Sequence, residues 1–194
     1  MGTGAIIWMV FGYLLGSIPF GLLLTRAQGI DIRTVGSGNI GTTNVLRTGN
    51  KGLAAATLLL DAGKGAAALV IAQHYGGLAA GMLAGLAAFL GHCYPIWLKF
   101  RGGKGVATLL GVTLAAVPFA GVAALIAWLA GALATRFSSV GGLMAAVTAP
   151  VAAALLGLPH SAAALALMAV VLVWKHRDNI ARLRAGTESR IGAK

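Results

Sequence analysis

The sequence predicts an all-α integral membrane protein, a compact bundle of seven transmembrane helices that forms one domain over residues 1–194. Hydrophobic residues make up 58% of the chain and charged residues only 10%, whereas soluble domains carry about 25% charged residues. The mean hydropathy is +0.87. The 29 glycines suit closely packed membrane helices, and Gly77, Gly81 and Gly85, which repeat every four residues, predict a helix-packing stripe.

Seven apolar runs, separated by polar clusters, are the predicted spans. Several are shorter than the roughly 20 residues that a helix needs to cross a ~30 Å hydrocarbon core, so five or six spans are alternatives. The two shortest runs flank a polar stretch at residues 91–105, and short, interrupted segments are typical of binding sites at membrane depth. The runs cover residues 4–24, 53–75, 78–90, 106–117, 119–135, 140–156 and 161–174.

The charge distribution predicts the orientation of these spans. The chain has 15 Lys and Arg residues against 4 Asp and Glu residues, a net charge of +11. Nearly all the basic residues lie in alternate connections, at residues 26–51, 99–104, 136 and 175–194. The positive-inside rule makes these connections cytoplasmic, with the N-terminus outside and the C-terminus in the cytoplasm. The same charge also favours anion binding, and we expect no nucleic-acid partner in a membrane protein of this kind.

Lys64 lies inside an apolar run, three positions after Asp61. This spacing puts the two side chains on one face of a helix. Ionisable residues within a membrane span are costly and usually functional. A mutually neutralising structural pair that faces the bundle interior is an equal alternative.

The first polar segment, residues 35–47, reads VGSGNIGTTNVLR. Its glycines match GxGxxG, but no strand precedes them, so a dinucleotide fold is excluded. Closely spaced glycines let backbone N–H groups converge on an anion, and Arg47 adds a guanidinium. A flexible loop that caps the next helix through Thr43 or Asn44 is the alternative. The predicted phosphate contacts here are Ser37, Gly38, Asn39, Thr43, Asn44 and Arg47.

The second polar segment, residues 91–108, contains a glycine-rich run with a lysine, followed by a predicted helix start. It is not a Walker A motif, because Lys104 is followed by Gly105 rather than Ser or Thr. Exposed amides, a positive helix end and a lysine still suit a phosphate group. We expect His92 to be a buried, hydrogen-bonded residue rather than a catalyst. The predicted contacts are Arg101, Gly102, Gly103, Lys104 and Gly105.

The third polar segment, residues 175–188, reads KHRDNIARLRAGTE. A basic amphipathic tail on anionic lipid accounts for Lys175, Arg182 and Arg184. It does not call for the other polar residues of the segment, which we predict to contact substrate: His176, Asn179 and Glu188. Arg136, Ser138 and Ser139 lie before another apolar run, and either cap its helix or contact the ligand.

With these segments the chain resembles the bacterial acyl-phosphate-dependent glycerol-3-phosphate acyltransferase family. The three cytoplasmic motifs of that family look like residues 36–47, 91–108 and 176–188, in the same order. Further similar stretches are GSIPFG at residues 16–21, LLDAGKG at 59–65 and RFSS at 136–139. Departures are small: Thr42 stands where alanine is common, and the second motif varies around residues 93–97.

The resemblance implies a multi-pass enzyme of the bacterial inner membrane whose active site faces the cytoplasm. It implies transfer of a fatty acyl group from acyl phosphate to the 1-hydroxyl of glycerol 3-phosphate, giving lysophosphatidic acid and phosphate. That reaction begins phospholipid synthesis. No cofactor and no metal are implied. The implied partners are glycerol 3-phosphate, fatty acyl phosphate, membrane lipid and the enzyme that makes acyl phosphate.

The residues also bear on mechanism. Cys93 lacks an evident base, so we expect direct transfer without an acyl-enzyme. The predicted catalytic residues are His176, Lys104 and Asn179. His176 is the candidate general base, and its rival is the phosphate of the substrate, whose second pKa is about 6 in comparable monoesters. An anion channel or a phosphate transporter is another interpretation, and a lipid-binding scaffold is a weaker one. A transporter, however, would place charges near the membrane midplane, between related repeats.

Overall fold

The structure is a computed structural model that describes residues 3–192. Every secondary-structure element in that range is a helix. The predicted all-α class is confirmed. Two short 3-10 helices, Ile32–Thr34 and Ile96–Leu98, lie in the connections. The α-helices within residues 3–192 are α1 (Thr3–Gly16), α2 (Phe20–Arg26), α3 (Thr42–Leu46), α4 (Lys51–Cys93), α5 (Val106–Ala116), α6 (Pro118–Thr135), α7 (Ser138–Leu155), α8 (Pro159–Lys175) and α9 (Arg177–Arg184).

The outer surface of the helices is apolar. Phe119, Leu133 and Leu155 are 80%, 77% and 84% exposed, and large exposed apolar surfaces of this kind suit contact with lipid. Two further apolar helices, α5 and α8, have 11 and 17 residues. Within residues 3–192, four helical segments are long and apolar enough to cross a membrane: Thr3–Arg26, Lys51–Leu98, Pro118–Thr135 and Ser138–Leu155. The chain is therefore an integral membrane protein.

The first predicted span is interrupted between α1 and α2. Pro19 has no N–H to donate, so the helical ladder stops before it. The carbonyl groups left free at this break find side-chain donors elsewhere in the bundle. Trp97 Nε1 donates to the carbonyl of Ser17 over 2.8 Å, and Lys64 Nζ donates to the carbonyl of Ile18 over 2.7 Å. Such partners are what allow a helix to break at membrane depth.

The second and third predicted spans are the two halves of α4, two helices that meet at a sharp turn at Gly77 and lie against each other. This residue has φ 81° and ψ 176°, a backbone conformation that glycine adopts without a steric penalty. The predicted packing stripe is therefore wrong at Gly77, since nothing lies within 4 Å of the place where its side chain would be. Gly81 and Gly85 do face close neighbours, and these include Leu69 in the first half of α4, because the two halves pack against each other.

Helix α1 packs along α4 through glycines. A Cβ atom at Gly12 would collide with the carbonyl oxygen of Ala84, and one at Gly16 would collide with that of Ala88. Only residues without a side chain permit this approach, as in other membrane helix pairs. The close packing fixes the side of α4 that faces the rest of the bundle.

Replacing Gly16 with alanine is expected to lower the free energy of unfolding by about 1–3 kcal/mol, the usual cost of overpacking a well-packed site. The new methyl group would collide with the backbone of Ala88, which cannot rotate away. Thermal unfolding of the purified protein in detergent measures the change. Gly4→Ala in the same helix is the matched control, because nothing lies within 4 Å of the place that a methyl group at Gly4 would occupy. Equal unfolding temperatures for both variants would contradict this packing.

Candidate active site

A cavity of about 640 Å³ lies where the three polar segments meet. These segments are far apart in the sequence, and the helices between them bring them to one end of the bundle. Twelve of the predicted site residues line the cavity: Ser37, Asn39, Thr43, Asn44, Arg47, Lys104, Gly105, Ser138, Ser139, His176, Asn179 and Glu188. The fold therefore brings residues of the three segments together at one cavity.

Asn44 holds the first polar segment in shape. Its Nδ2 donates to the carbonyls of Ile32 and Val35 over 3.1 and 2.9 Å, and its Oδ1 accepts from the N–H of Ser37 over 3.1 Å. Gly36 makes this turn with φ 52°, which favours glycine. The loop is thus built around one buried amide, and Asn44 presents its neighbours to the cavity.

The alternative role of the first polar segment, as a helix cap, is not what the structure shows. Gly41 precedes α3 and no side chain caps that helix. Helix α4 is capped instead by Asn50, whose Oδ1 accepts from the N–H of Leu53 over 3.0 Å. The hydroxyl oxygen of Thr42 is buried at the cavity and has no hydrogen-bond partner among residues 3–192. Thr42 is therefore a candidate ligand contact beside those predicted.

The remaining predicted contacts lie around the cavity without lining it: Gly38, Arg101, Gly102, Gly103 and Arg136. The backbone explains two of them. The N–H groups of Gly102 and Gly103 donate to the carbonyls of Cys93 and His92 over 3.2 and 3.0 Å, so these amides are already used and do not point at a ligand. Their glycines let the loop lie directly on the end of α4.

Two other residues outside the cavity wall shape the chain near it. Arg136 has φ 63° and ends α6, and its carbonyl accepts from the N–H of Ile191 over 2.7 Å. Gly38 has φ 68° and lies against the carbonyl of Arg33. In these positions both residues turn the backbone, which is a different task from the direct phosphate contact that we predicted.

The carboxylate of Glu188 connects several segments of the site. Its Oε1 accepts from Ser139 Oγ over 2.8 Å and from Asn179 Nδ2 over 2.5 Å. Its Oε2 accepts from Arg182 Nε over 2.7 Å. Burial raises the pKa of Glu188, but the hydrogen bonds from Asn179, Arg182 and Ser139 outweigh it and hold the pKa below its usual value. Glu188 is therefore an ionised anchor for its neighbours.

Arg182 belongs to the cavity rather than to a lipid-facing surface. An amphipathic tail on lipid, the competing explanation for this residue, does not account for its position, because its guanidinium pairs with Glu188 and lines the cavity. Arg182 follows Asn179 by three residues, which puts both on one face of α9. This spacing is the sequence pattern that could have placed Arg182 beside Asn179 in the site.

His176 is buried, with 2% of its surface exposed. Its Nδ1 lies 2.8 Å from the carbonyl oxygen of Leu172, and because a carbonyl only accepts, Nδ1 carries the proton and Nε2 is unprotonated. Burial lowers the pKa of His176 to about 4, although the hydrogen bond to Leu172 opposes this shift. The imidazole is therefore neutral at physiological pH and has one nitrogen free to accept a proton.

Lys104 supplies a cation to the cavity. Its Nζ donates to Asn179 Oδ1 over 2.5 Å, and Asn179 in turn donates to Glu188. Burial lowers the pKa of Lys104 to about 8, against the opposing effect of the Glu188 charge. At neutral pH the amine is still protonated, and Asn179 holds it in a fixed direction.

Activity is expected to fall as the pH rises through about 8, because Lys104 loses its charge around that pH. Below it the ammonium group can balance a phosphate charge, and above it the neutral amine cannot. The dependence of kcat/KM on pH, from neutral to alkaline solution, measures this limb. Lys104→Arg keeps a charged group at every pH in that range, so its profile should lack the decline. The same decline in Lys104→Arg would rule out Lys104 as its source.

Part of the cavity wall is apolar, with Leu58, Leu110, Leu125 and Trp128 among its lining residues. Leu58 and Leu125 are also 38% and 36% exposed, so this wall reaches the outer surface of the bundle. A cavity lined by cations and amides as well as by apolar side chains suits a ligand with a charged head and a hydrocarbon tail.

Fold and cavity together define an integral membrane protein with a site for an amphiphilic anion. A model of the family described as Glycerol-3-phosphate acyltransferase matches residues 6–186. The chain belongs to the glycerol-3-phosphate acyltransferase family, and the membership expected from its motifs is confirmed.

Relatives of the chain carry the same name. A glycerol-3-phosphate acyltransferase of Rhodopseudomonas palustris is 58% identical over 187 residues, covering 96% of this chain and 95% of the relative. One of Mesorhizobium japonicum is 57% identical over 195 residues, covering 100% of both chains. The glycerol 3-phosphate form of PlsY (YgiH), an integral membrane glycerol 3-phosphate acyltransferase, superposes with a TM-score of 0.92 at 37% identity, covering 97% of this chain and 96% of that chain. Its lysophosphatidic acid form gives 0.90 at 36% identity, covering 97% of this chain and 95% of that chain.

Proposed function

We propose that this protein transfers a fatty acyl group from acyl phosphate to the 1-hydroxyl of glycerol 3-phosphate, releasing lysophosphatidic acid and phosphate. The observation that carries the proposal is the cavity itself, which combines the connected polar side chains of Lys104, Asn179 and Glu188 with apolar lining residues. Family membership and the ligands named for the PlsY structures support the acceptor and product. The anion-binding groups contributed by separate segments support a second phosphate-bearing substrate as donor.

The same proposal includes the setting of the enzyme. We place it in the bacterial inner membrane as a single transmembrane acyltransferase domain over residues 1–194, with seven spans and a cytoplasmic active site. The one-sided distribution of Lys and Arg supports a cytoplasmic C-terminus and an outside N-terminus. In this setting the acceptor arrives from water, while the acyl donor arrives from the membrane and from the enzyme that makes it.

In the proposed reaction, the 1-hydroxyl oxygen attacks the acyl carbonyl carbon and forms the new ester bond. The bond between that carbon and the phosphate oxygen breaks, so inorganic phosphate leaves with the electron pair. The hydroxyl proton passes to Nε2 of His176, whose ring is neutral and held by Leu172. Lys104 balances negative charge on a phosphate group. Orientation of two bound substrates can lower a barrier by roughly 7–11 kcal/mol, so alignment is the main task of the site.

Direct transfer is favoured over an acyl-enzyme. Cys93 is fully buried and does not line the cavity. Ser139 does line it, but its hydroxyl donates to Glu188 Oε1. That carboxylate also accepts from Asn179 and Arg182, so its oxygens are already engaged by three donors. Each hydroxyl or thiol considered as a nucleophile therefore lacks a base that would activate it.

The donor is tested with purified protein in lipid nanodiscs. We expect lysophosphatidic acid to form from glycerol 3-phosphate plus acyl phosphate, and not from acyl-CoA or acylated carrier protein. Equal product from acyl-CoA would overturn the proposed donor. In parallel, phosphate-loaded liposomes test a channel or transporter, and phosphate efflux without product formation would overturn the enzymatic function.

Replacing His176 with alanine is expected to lower kcat by about 10²- to 10⁴-fold, the usual contribution of a general base, with little change in KM. Steady-state kinetics with both substrates varied measures the two parameters separately. His160→Ala is the matched control, because His160 is exposed at the start of α8, away from the cavity. If His176→Ala kept most of kcat and only raised KM, the substrate phosphate would be the base instead.

A further inference from the structure

A buried ion pair lies at the cavity, in the first half of α4, before the turn at Gly77. Lys64 Nζ lies 2.7 Å from Asp61 Oδ1, and the two side chains are 2% and 3% exposed. Two buried charges are costly in a membrane span even when they neutralise each other. Apolar side chains of similar size would hold the helices together as well. The retained charges therefore call for a task beyond packing.

The pair reaches the second polar segment through His92. Nδ1 of His92 lies 3.5 Å from Asp61 Oδ1, an oxygen that already pairs with Lys64, and Nδ1 itself has no hydrogen-bond partner within residues 3–192. Buried polar atoms without partners need an explanation, and catalytic contacts that are long in a ligand-free site often shorten when substrate binds. Asp61 and His92 also line the cavity. The contact thus lies at the site and not in a remote part of the bundle.

The ring of His92 supports the glycine loop that carries Lys104. A Cβ atom at Gly103 would collide with His92 Nε2, so the backbone of Gly103 rests directly on the imidazole. The N–H of Gly103 also donates to the carbonyl of His92 over 3.0 Å. The next residue along the chain is Lys104. A shift of the ring would therefore move the backbone that carries the site's cation.

The other contacts of the pair also end on backbone or helices that form the site. Lys64 Nζ donates to the carbonyl of Ile18 at the break before α2. The carbonyl of Asp61 accepts from Thr108 Oγ1 over 3.0 Å, which holds the first turn of α5 just after Lys104. The pair is thus joined to the loop that carries Lys104 both before and after that residue.

We propose that Asp61, Lys64 and His92 form a positioning network that fixes the loop of Gly102 and Gly103 and thereby aims Lys104 at the substrate phosphate. This inference rests on the proposed function of the same cavity and assigns its buried charges to a task. The network acts through Lys104 and does not itself touch the reacting atoms. The simple neutralising pair is the competing explanation, and it predicts a loss of stability alone.

The first test measures loop order without any substrate. Hydrogen–deuterium exchange of the full-length protein in nanodiscs is compared for wild type, His92→Leu and the double variant Asp61→Asn with Lys64→Gln, which removes both charges together. Faster exchange at the Gly102 and Gly103 amides is expected in both variants. Leu69→Ala, a fully buried α4 residue in the apolar core, is the control for general destabilisation. Unchanged exchange at these amides, or the same increase in Leu69→Ala, would overturn the proposal.

The second test asks whether the network acts through Lys104. His92→Leu alone is expected to lower kcat by about tenfold, but to have almost no further effect in a Lys104→Ala background, as expected for residues that act as one unit. His92→Asn keeps a donor for Asp61 and should retain more of kcat than His92→Leu. The network is contradicted if the fold-losses of kcat in His92→Leu and Lys104→Ala multiply in the double variant. It is also contradicted if His92→Asn and His92→Leu lose equal amounts of kcat.

These kinetics use whichever acyl donor the wild-type enzyme accepts. If acyl phosphate gives no product, the proposed donor has failed, while the exchange experiment still decides whether the network orders the loop. The two failures are therefore distinguishable.

Discussion

Replacing Lys104 with alanine is expected to lower kcat/KM for lysophosphatidic acid formation by about 10²- to 10³-fold, the loss that follows removal of one preorganised donor from a reacting group. Lys104 points into the cavity and is held there by Asn179. An alanine leaves the phosphate charge without the one ammonium group that Asn179 holds in place. Steady-state assays of the purified protein measure the loss, and chromatographic homogeneity with unchanged thermal unfolding shows that the variant is folded.

Lys99→Ala is the matched control for Lys104→Ala. Lys99 precedes the same glycine loop but is exposed and does not line the cavity. Removing its charge should therefore leave kcat/KM nearly unchanged. Near-normal turnover in Lys104→Ala, or similar losses in the two variants, would show that the general positive charge of the loop matters and not the position of one ammonium group.

Replacing Glu188 with alanine should give the second large effect, a fall in kcat/KM of about 10- to 100-fold, because a hydrogen bond to a charged group is worth about 1.5–3 kcal/mol. Glu188 accepts hydrogen bonds from Ser139, Asn179 and Arg182. Without it, Asn179 loses the partner that fixes its amide, and Lys104 loses a fixed acceptor in turn. Glu188→Gln keeps an acceptor for Asn179 and should lose less activity.

Asp178→Asn serves as the control for Glu188. Its carboxylate also belongs to the third polar segment, but its side chain is 70% exposed and its nearest cation, Arg177, lies 3.8 Å away. Kinetics of the three variants, measured side by side with both substrates, separate a specific anchor from the loss of one negative charge. Comparable activity of Glu188→Ala and Asp178→Asn would contradict the anchor role.

Much of this site could be predicted because its polar residues are concentrated in short segments of the sequence. Lys104, Asn179, Glu188 and His176 stand out as polar residues beside apolar runs, and the positive-inside rule puts their segments on one side of the membrane. Residues on one side of a small bundle share a small surface, so their segments are expected to lie close together. The helical class likewise follows from hydrophobicity, because helices satisfy their own backbone in lipid.

What could not be predicted depends on contacts between distant residues. Asn44 turns inward because the carbonyls of Ile32 and Val35 need a donor, and no local pattern states this. Arg182 faces the cavity because it pairs with Glu188. Glu188 reaches Arg182 because the chain reverses direction at Gly186, which has φ 69°. Gly77 looks like part of a packing repeat, and only the three-dimensional fold shows that its φ is positive.

The apolar wall of the cavity has a consequence for how a product leaves. Leu58 and Leu125 belong both to the cavity and to the outer surface of the bundle. Moving a hydrocarbon chain into water would cost about 0.8 kcal/mol for every methylene group. A tail that lies along this wall can pass sideways into the bilayer without that cost, so only the charged head has to be released by Lys104 and its neighbours. Turnover would then depend on the surrounding lipid, which takes up the product. The product would be released within the membrane, where the next membrane enzyme can bind it.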